Sequence, residues 1–367
     1  MNRVFSCIRT TFYFGALGLA ASGASFIVFG DSSLTLIGSN FTPQDISDDG
    51  KVVVGLLGNQ AALWTASGGF EVINSNSSIA TGVSADGTKI VGYEVNNGSF
   101  EWTRSTGLSG FGPSTSVNPR ISPDGLVDAG TTKGSSFGTA FRYTSIGGVV
   151  PIQSGPGYSQ PHGLSFDGNV IVGAYQPTYG TSDSKAFRWT EATGMEFLGT
   201  LPGANSHFSI ANAITSDAKV IAGTADSGIG QQAFRWTAST GMIGLGHLPN
   251  AIETALGVSD NGNVIVGYAQ VGGAQDYRAF LWDPANGIRY LSQQLQIEGA
   301  DLAGINLTAA NGVSGDGRTI IGYGSTGGWI AHLSSVPEPA TYSIIFGIAA
   351  VCAVLPFRGK SGKSLPA

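Results

Sequence analysis

Charge is scarce in this sequence. Asp, Glu, Lys and Arg make up 11% of its 367 residues, under half the ~25% usual for soluble domains. Cysteine is nearly missing. Cys7 and Cys352 lie in the two terminal segments, which excludes a disulfide framework or a thiolate metal site from the chain between them. Histidine is limited to His162, His207, His247 and His332. No pair has the H-x-x-x-H spacing of a metal site, and each reads as a solvated residue in or near a loop or terminal strand. Neither a G-x-S-x-G elbow nor a G-x-x-x-x-G-K-[ST] loop occurs. No catalytic residue, metal or cofactor is therefore assigned. A basic surplus is missing too. Residues 25–335 hold 13 Lys+Arg against 23 Asp+Glu, a net −10, which leaves no patch for phosphates and no nucleic-acid partner.

What the sequence has in excess is glycine. There are 56, about 15%, where ~7% is usual. They do not recur every third residue, so this is not collagen. Each one inside a helix would destabilise it by ~1 kcal/mol relative to alanine, which argues against a helical protein. The 42% apolar share argues against disorder. A turn-rich β protein remains.

Both ends read as addresses rather than as fold. Met1–Ala24 has the form of a secretory signal peptide: Arg3 and Arg9, the uncharged run Thr11–Ala21, and Ser22-Gly23-Ala24 for cleavage after Ala24. A retained anchor is the alternative. At the other end Val336-Pro337-Glu338-Pro339 precedes the uncharged segment Ala340–Phe357, then Arg358, Lys360 and Lys363. A helix over 340–357 would rise about 27 Å, close to the hydrocarbon thickness. Its basic end would stay in the cytoplasm, placing residues 25–335 outside. A plain single-span anchor has the same outline. In its three parts and their order, the segment 336–367 resembles the PEP-CTERM sorting signal of bacterial exported proteins. That resemblance implies transient membrane anchoring, with recognition and removal by exosortase, a membrane-embedded processing protease.

Between the ends, one pattern occurs seven times. S-x-D-G-x-φ-x-φ-G, where φ is apolar, matches with tolerance at Ser47–Gly55, Ser84–Gly92, Ser122–Gly130, Ser165–Gly173, Thr215–Gly223, Ser259–Gly267 and Ser314–Gly322. Ala218 replaces the turn glycine in the fifth copy and Asn261 the aspartate in the sixth. An aromatic element follows each copy, as in Phe187-Arg188-Trp189-Thr190 and Phe234-Arg235-Trp236-Thr237. Five of the six tryptophans fall at this position, and the seventh copy reads Gly328-Trp329-Ile330-Ala331. A third element, apolar-x-x-apolar-Gly, is clearest at Met195–Gly199 and Met242–Gly246. Asp-Gly between apolar runs is a hairpin signal, and Ser and Asp side chains tie such turns to the backbone. Aromatics at i and i+2 share one face of a strand. Four strands per repeat, seven times over, gives an all-β β-propeller of seven four-stranded blades. A β-solenoid is the rival, but its coils are shorter than the 37–55-residue spacing seen here. Leu34–Gly38 fits the third element without a hairpin before it, so it is expected to complete the last blade beside Trp329–His332.

The unit also resembles the HAF-type extracellular repeat through Thr139-Ala140-Phe141, Lys185-Ala186-Phe187, Gln232-Ala233-Phe234 and Arg278-Ala279-Phe280. None carries the histidine of that tripeptide. The resemblance implies a secreted repeat protein without established activity.

The repeated aspartates, Asp49, Asp86, Asp124, Asp167, Asp217 and Asp316, lack the D-x-D-x-D density of a calcium loop and read as turn caps. The aromatic stripe reads as packing between blades rather than as a sugar platform, because it recurs in nearly every copy. Irregular segments are the better place for a site: 175–184, 199–208 with His207, and 291–307, where 293–298 is expected to form a helical turn. Asp183, Asp276, Glu298 and Asp301 are the carboxylates of such loops. The resulting expectation is an exported, non-enzymatic propeller of the cell envelope, cell surface or extracellular matrix. It would bind an exopolysaccharide, a surface glycan or a protein. The alternative is a polysaccharide-acting hydrolase or lyase. Paired carboxylates at the central mouth would favour the enzyme. A mouth of Gly, Ser and Asn would favour the binder.

Overall fold

A computed structural model describes residues 32–334, apart from 115, 133–137, 154, 179, 182 and 274. The segments read as a signal peptide ending at Ala24, a sorting motif at 336–339, a span at 340–357 and a basic tail lie outside the described residues. No helix among the described residues is long and apolar enough to cross a membrane.

The hairpin and aromatic elements assemble as seven antiparallel sheets of four strands each. The inner strands are Phe41–Ile46, Ser78–Val83, Ser116–Ile121, Tyr158–Leu164, Ser209–Ile214, Ala251–Val258 and Leu307–Val313, which open blades 1 to 7. Each packs beside the inner strands of the two neighbouring blades, so the seven close around a central channel. The outer strand of blade 7 is Ser33–Gly38, from the other end of the chain. It runs antiparallel to Gly327–His332, with Thr35 opposite Ile330 and Leu36 opposite Trp329. This is the closure expected from the sequence. It removes an unpaired strand edge that would otherwise invite association. Glu298 braces the seam: its carboxylate accepts from Ser32, from the Ser334 amide at 3.1 Å and from the Ser334 hydroxyl at 3.2 Å.

Each letter of the repeat has a physical task. The Ser or Thr is buried in every blade. In blade 1 the Ser47 hydroxyl donates to Asp49 at 2.7 Å and accepts from the Val52 amide at 3.0 Å, while Asp49 also accepts from the Lys51 amide. The same turn recurs through Asp217 and through Asn261, so these groups are caps. The last glycine of the pattern sits where the inner strand bulges toward it. A Cβ on Gly173 would lie 2.0 Å from the Gln160 carbonyl oxygen and 2.9 Å from the Phe187 ring. A side chain there would push inner strand and aromatic ring apart.

The aromatic strand departs from the sequence reading in one respect. The phenylalanines Phe141, Phe187, Phe234 and Phe280 are at most 1% exposed, and they fill the interface with the preceding blade. Of the tryptophans two residues on, Trp189 is buried at 4%, whereas Trp64, Trp102, Trp236 and Trp282 are half-buried. Trp329 is fully buried because it stands in the phenylalanine place. It faces Gly322 as Phe280 faces Gly267, and Ala331 takes the tryptophan place. In the seventh copy the tryptophan therefore stands two residues earlier than in the others. The helical turn expected at 293–298 is the short helix Leu291–Ile297, with Leu291 and Leu295 buried.

Candidate functional site: the central channel

All seven inner strands slip register by one residue near the middle, and the seventh slips once more near its start. Such a bulge turns an extra side chain out of the ladder. Here the extra residues, among them Gln44, Thr81, His162, Asn212, Leu256 and Asn311, face the channel, a cavity of about 370 Å³. The next position is small in five blades: Gly82, Gly163, Ala213, Gly257 and Gly312. Gly82 and Gly163 lie against Ile121 and Ile214 of the following blade, where a Cβ would approach to 3.2 Å. Blades 1 and 3 instead place Asp45 and Arg120 there.

These polar groups bind protein, blade to blade. Thr81 donates to the Pro119 carbonyl at 2.7 Å, and Arg120 Nε to the His162 carbonyl at 3.1 Å. His162 Nδ1 lies 3.0 Å from the Ala211 carbonyl, so that nitrogen carries the proton. Asn212 reaches the Ala255 carbonyl and Asn311 the Pro43 carbonyl, both at 2.7 Å. Asp45 accepts from the Val83 amide at 3.0 Å. Leu256 has no polar group to offer, so this series is interrupted between blades 6 and 7. Burial, with the nearby Arg120 charge, lowers His162 to about 4 and keeps it neutral. Burial raises Asp45 to about 6, against the opposing pull of Arg120.

A second ring closes the mouth beside the S-x-D-G turns. It is made by the variable residue of that pattern. The Asp48 amide donates to Ala85, Ala85 to Pro123, Phe166 to Ser216, Asp260 to Gly315, and Gly315 to Asp48, over 2.8–3.1 Å. Pro123 has no N–H, and the Asp124 amide donates to Phe166 in its place. The Ser216 hydroxyl continues the ring to Asp260 at 2.6 Å. Asp48 and Asp260 flank Gly315. Burial, then the Asp260 charge, raises Asp48 to about 6. The mouth thus holds Gly and Ser, and also a carboxylate pair, so it meets both criteria set from the sequence. No group of three or more potential metal ligands occurs among the described residues.

The histidine reading needs correction at two positions. His162 is a channel residue, drawn inward by the bulge. His247 is paired: its Nδ1 lies 3.1 Å from Glu253 and its Nε2 2.5 Å from the Gln232 amide nitrogen. Glu253 is fully buried and also accepts from the Leu248 amide at 2.8 Å. It stands where Ser78, Ser159 and Ser209 of other blades accept from the neighbouring blade's third strand. Burial raises Glu253 to about 7 and lowers His247. His247 borders an open depression of about 560 Å³ with Ile229, Leu248, Pro249 and Ile252, while Glu253 lies buried behind it. Of the other loop carboxylates, Asp276 and Asp301 border one open depression of about 620 Å³, and both have partners there. Asp276 pairs with Arg278 at 2.6 Å, Asp301 caps the Ala303 amide, and Glu298 braces the seam.

No family model matches the chain, and no curated protein matches it by sequence. Solved structures match its shape. Kuenenia stuttgartiensis hydrazine synthase aligns at 14% identity over 85% of this chain and 99% of its own, with a TM-score of 0.53. The β-propeller domain of Myceliophteria thermophila Cps50 (Swd1) aligns at 11% identity over 83% and 100%, also at 0.53. TolB from Acinetobacter baumannii aligns at 15% identity over 66% and 64%, at 0.44. The chain folds as a seven-bladed β-propeller. At these identities the likeness extends to the fold alone.

Proposed function

We propose that this is an exported, non-enzymatic propeller of the cell envelope or extracellular matrix, acting by binding glycan or protein. The observation that carries the binding reading is the use made of the channel's polar groups. Thr81, Arg120, His162, Asn212 and Asn311 each bond to a backbone carbonyl of the next blade. A catalytic site needs groups held free to exchange protons with a substrate; these five are spent on joining blades, and of the carboxylate pair at the mouth Asp260 is engaged by the Ser216 hydroxyl. Export rests on the signal peptide and on the tail that resembles a PEP-CTERM signal, with an exosortase as processing partner.

Two measurements test the reading. Intact mass of the protein from a host with exosortase should show loss of the tail near Pro337–Ala340; a product retaining Phe357 overturns the sorting assignment. The exported protein should bind on a glycan array or to matrix protein without releasing reducing ends from polysaccharide. Steady depolymerisation would replace this reading with the hydrolase or lyase.

A further inference from the structure

The repeat has an arginine after its phenylalanine in blades 3, 4 and 5, on the face opposite the aromatic stripe. In two of these it is spent on the next blade's turn. Arg142 Nε donates to the Gly168 carbonyl at 3.0 Å and Arg235 Nε to the Gly262 carbonyl at 3.2 Å. Arg188 faces the one turn in which alanine, Ala218, replaces glycine, and it makes no such bond among the described residues. Its nearest charge is Glu196 at 3.7 Å, a carboxylate half exposed to solvent, while the Arg188 side chain is 25% exposed. At this same place the blades leave a cleft of about 870 Å³, running under the base of blade 5. Trp236, half-buried where Trp189 is buried, lines it together with Arg188, Glu196, Lys219 and Asp260. Lys219 is already paired with Asp217 at 2.8 Å. Arg235 lines the cleft as well, but it is held by the Gly262 carbonyl, so Arg188, with Glu196 alone at 3.7 Å, is the least engaged of the three cations.

The geometry points to a glycan-binding site in this cleft, selective for a uronic-acid residue, with its pyranose face on Trp236 and its carboxylate on Arg188. An indole surface accepts the apolar C–H face of a sugar. A guanidinium holds a carboxylate through two parallel hydrogen bonds, which a loosely placed Glu196 does not satisfy. The volume suits two or three sugar units rather than a single ion. This rests on the proposed function for its ligand class only. The site is fixed by a break in symmetry: one arginine released from a contact that two equivalent arginines make.

The experiment uses the exported protein, a hexameric oligouronide and the same hexamer with its carboxyl groups reduced to alcohols. Calorimetry and quenching of tryptophan fluorescence report binding. The expected result is binding of the oligouronide at least tenfold tighter than of the reduced hexamer. Arg188→Gln should bring the two to equal, weak affinity. Glu196→Gln should hold or strengthen binding, since it removes the competing carboxylate. Unchanged thermal unfolding of both variants shows that the fold is intact. Equal affinity of wild type for the two hexamers, or an Arg188→Gln variant that binds as wild type, overturns the site while leaving glycan binding elsewhere on the propeller standing. Failure to bind any glycan on the array overturns the site and the glycan half of the proposed function together.

Discussion

Deleting the closing strand, Ser33–Gly38, should undo the propeller out of proportion to its six residues. The strand meets Gly327–His332 at five paired positions. Ile37 is 7% exposed, and Leu34 packs on the cluster containing Trp329, Ala331 and Leu333. Burying an aliphatic side chain contributes about 1.5–3 kcal/mol, and each ladder hydrogen bond about 0.5–1.5 kcal/mol net. Two such side chains and a few bonds come to about 5–10 kcal/mol. A domain's whole stability is about 5–15 kcal/mol. The deletion also uncovers Trp329 and Ile330, now at most 3% exposed, along a newly unpaired edge. Urea unfolding followed by fluorescence should show a lower and broader transition, and size-exclusion chromatography should show association. A monomeric deletion variant with the wild-type midpoint and slope would refute the argument, because the seam would then contribute nothing to cooperativity.

Other perturbations separate the roles assigned above. Trp189→Ala should destabilise by about 3–5 kcal/mol as a core truncation. Trp236→Ala should do so by about 1–2 kcal/mol, since the ring is half in solvent; equal urea midpoints for the two variants would contradict the burial difference. Ala218 holds φ 59°, where a Cβ is strained by roughly 1–2 kcal/mol, so Ala218→Gly should raise the midpoint by about 0.5–1 kcal/mol after the unfolded-state entropy of glycine is counted. Glu253 keeps its proton in the folded protein to about pH 7, against an ordinary value of 4.5. The folded state therefore binds the extra proton within that window, and stability falls as pH rises from about 4.5 to about 7. Glu253→Gln should match wild type near pH 4.5 and gain on it by pH 8; a constant difference in urea midpoint across this range would refute the assignment.

The sequence showed the blades because the residues that make them act through their side chains. A hairpin cap needs its Asp, a close approach needs its Gly, and a blade interface needs its Phe. Each therefore recurs at a fixed place and is visible in one chain. Even ring closure could be read at Leu34–Gly38, since an outer strand without a hairpin before it must belong to another blade. The channel was not legible for the opposite reason. Its mouth is tied mostly by backbone amides and carbonyls, at Asp48, Ala85, Pro123, Phe166, Ser216, Asp260 and Gly315, seven places whose side chains run from none to a phenyl ring. Any residue with a carbonyl serves, so the pattern shows only a variable position. His162 was misplaced in the same way. A bulge adds one residue to a strand, and period-two reasoning then assigns the wrong face to everything it displaces.

Sevenfold repetition also changes which residues carry information about function. A feature present in every blade is explained by what every blade must do, namely pack and pair. The informative positions are departures with a structural consequence. Some are absorbed by the scaffold. Pro123 loses an amide, and Asp124 supplies one. Glu253 replaces a serine and finds His247 and the Leu248 amide as partners. The exchange of glycine for alanine at Ala218 differs, because the turn survives while the arginine facing it is left with only a distant, solvated partner. A departure that the fold repairs is structural drift. One that leaves a charged group under-paired beside a cleft is a candidate for binding, and Arg188 is the residue here that meets this condition.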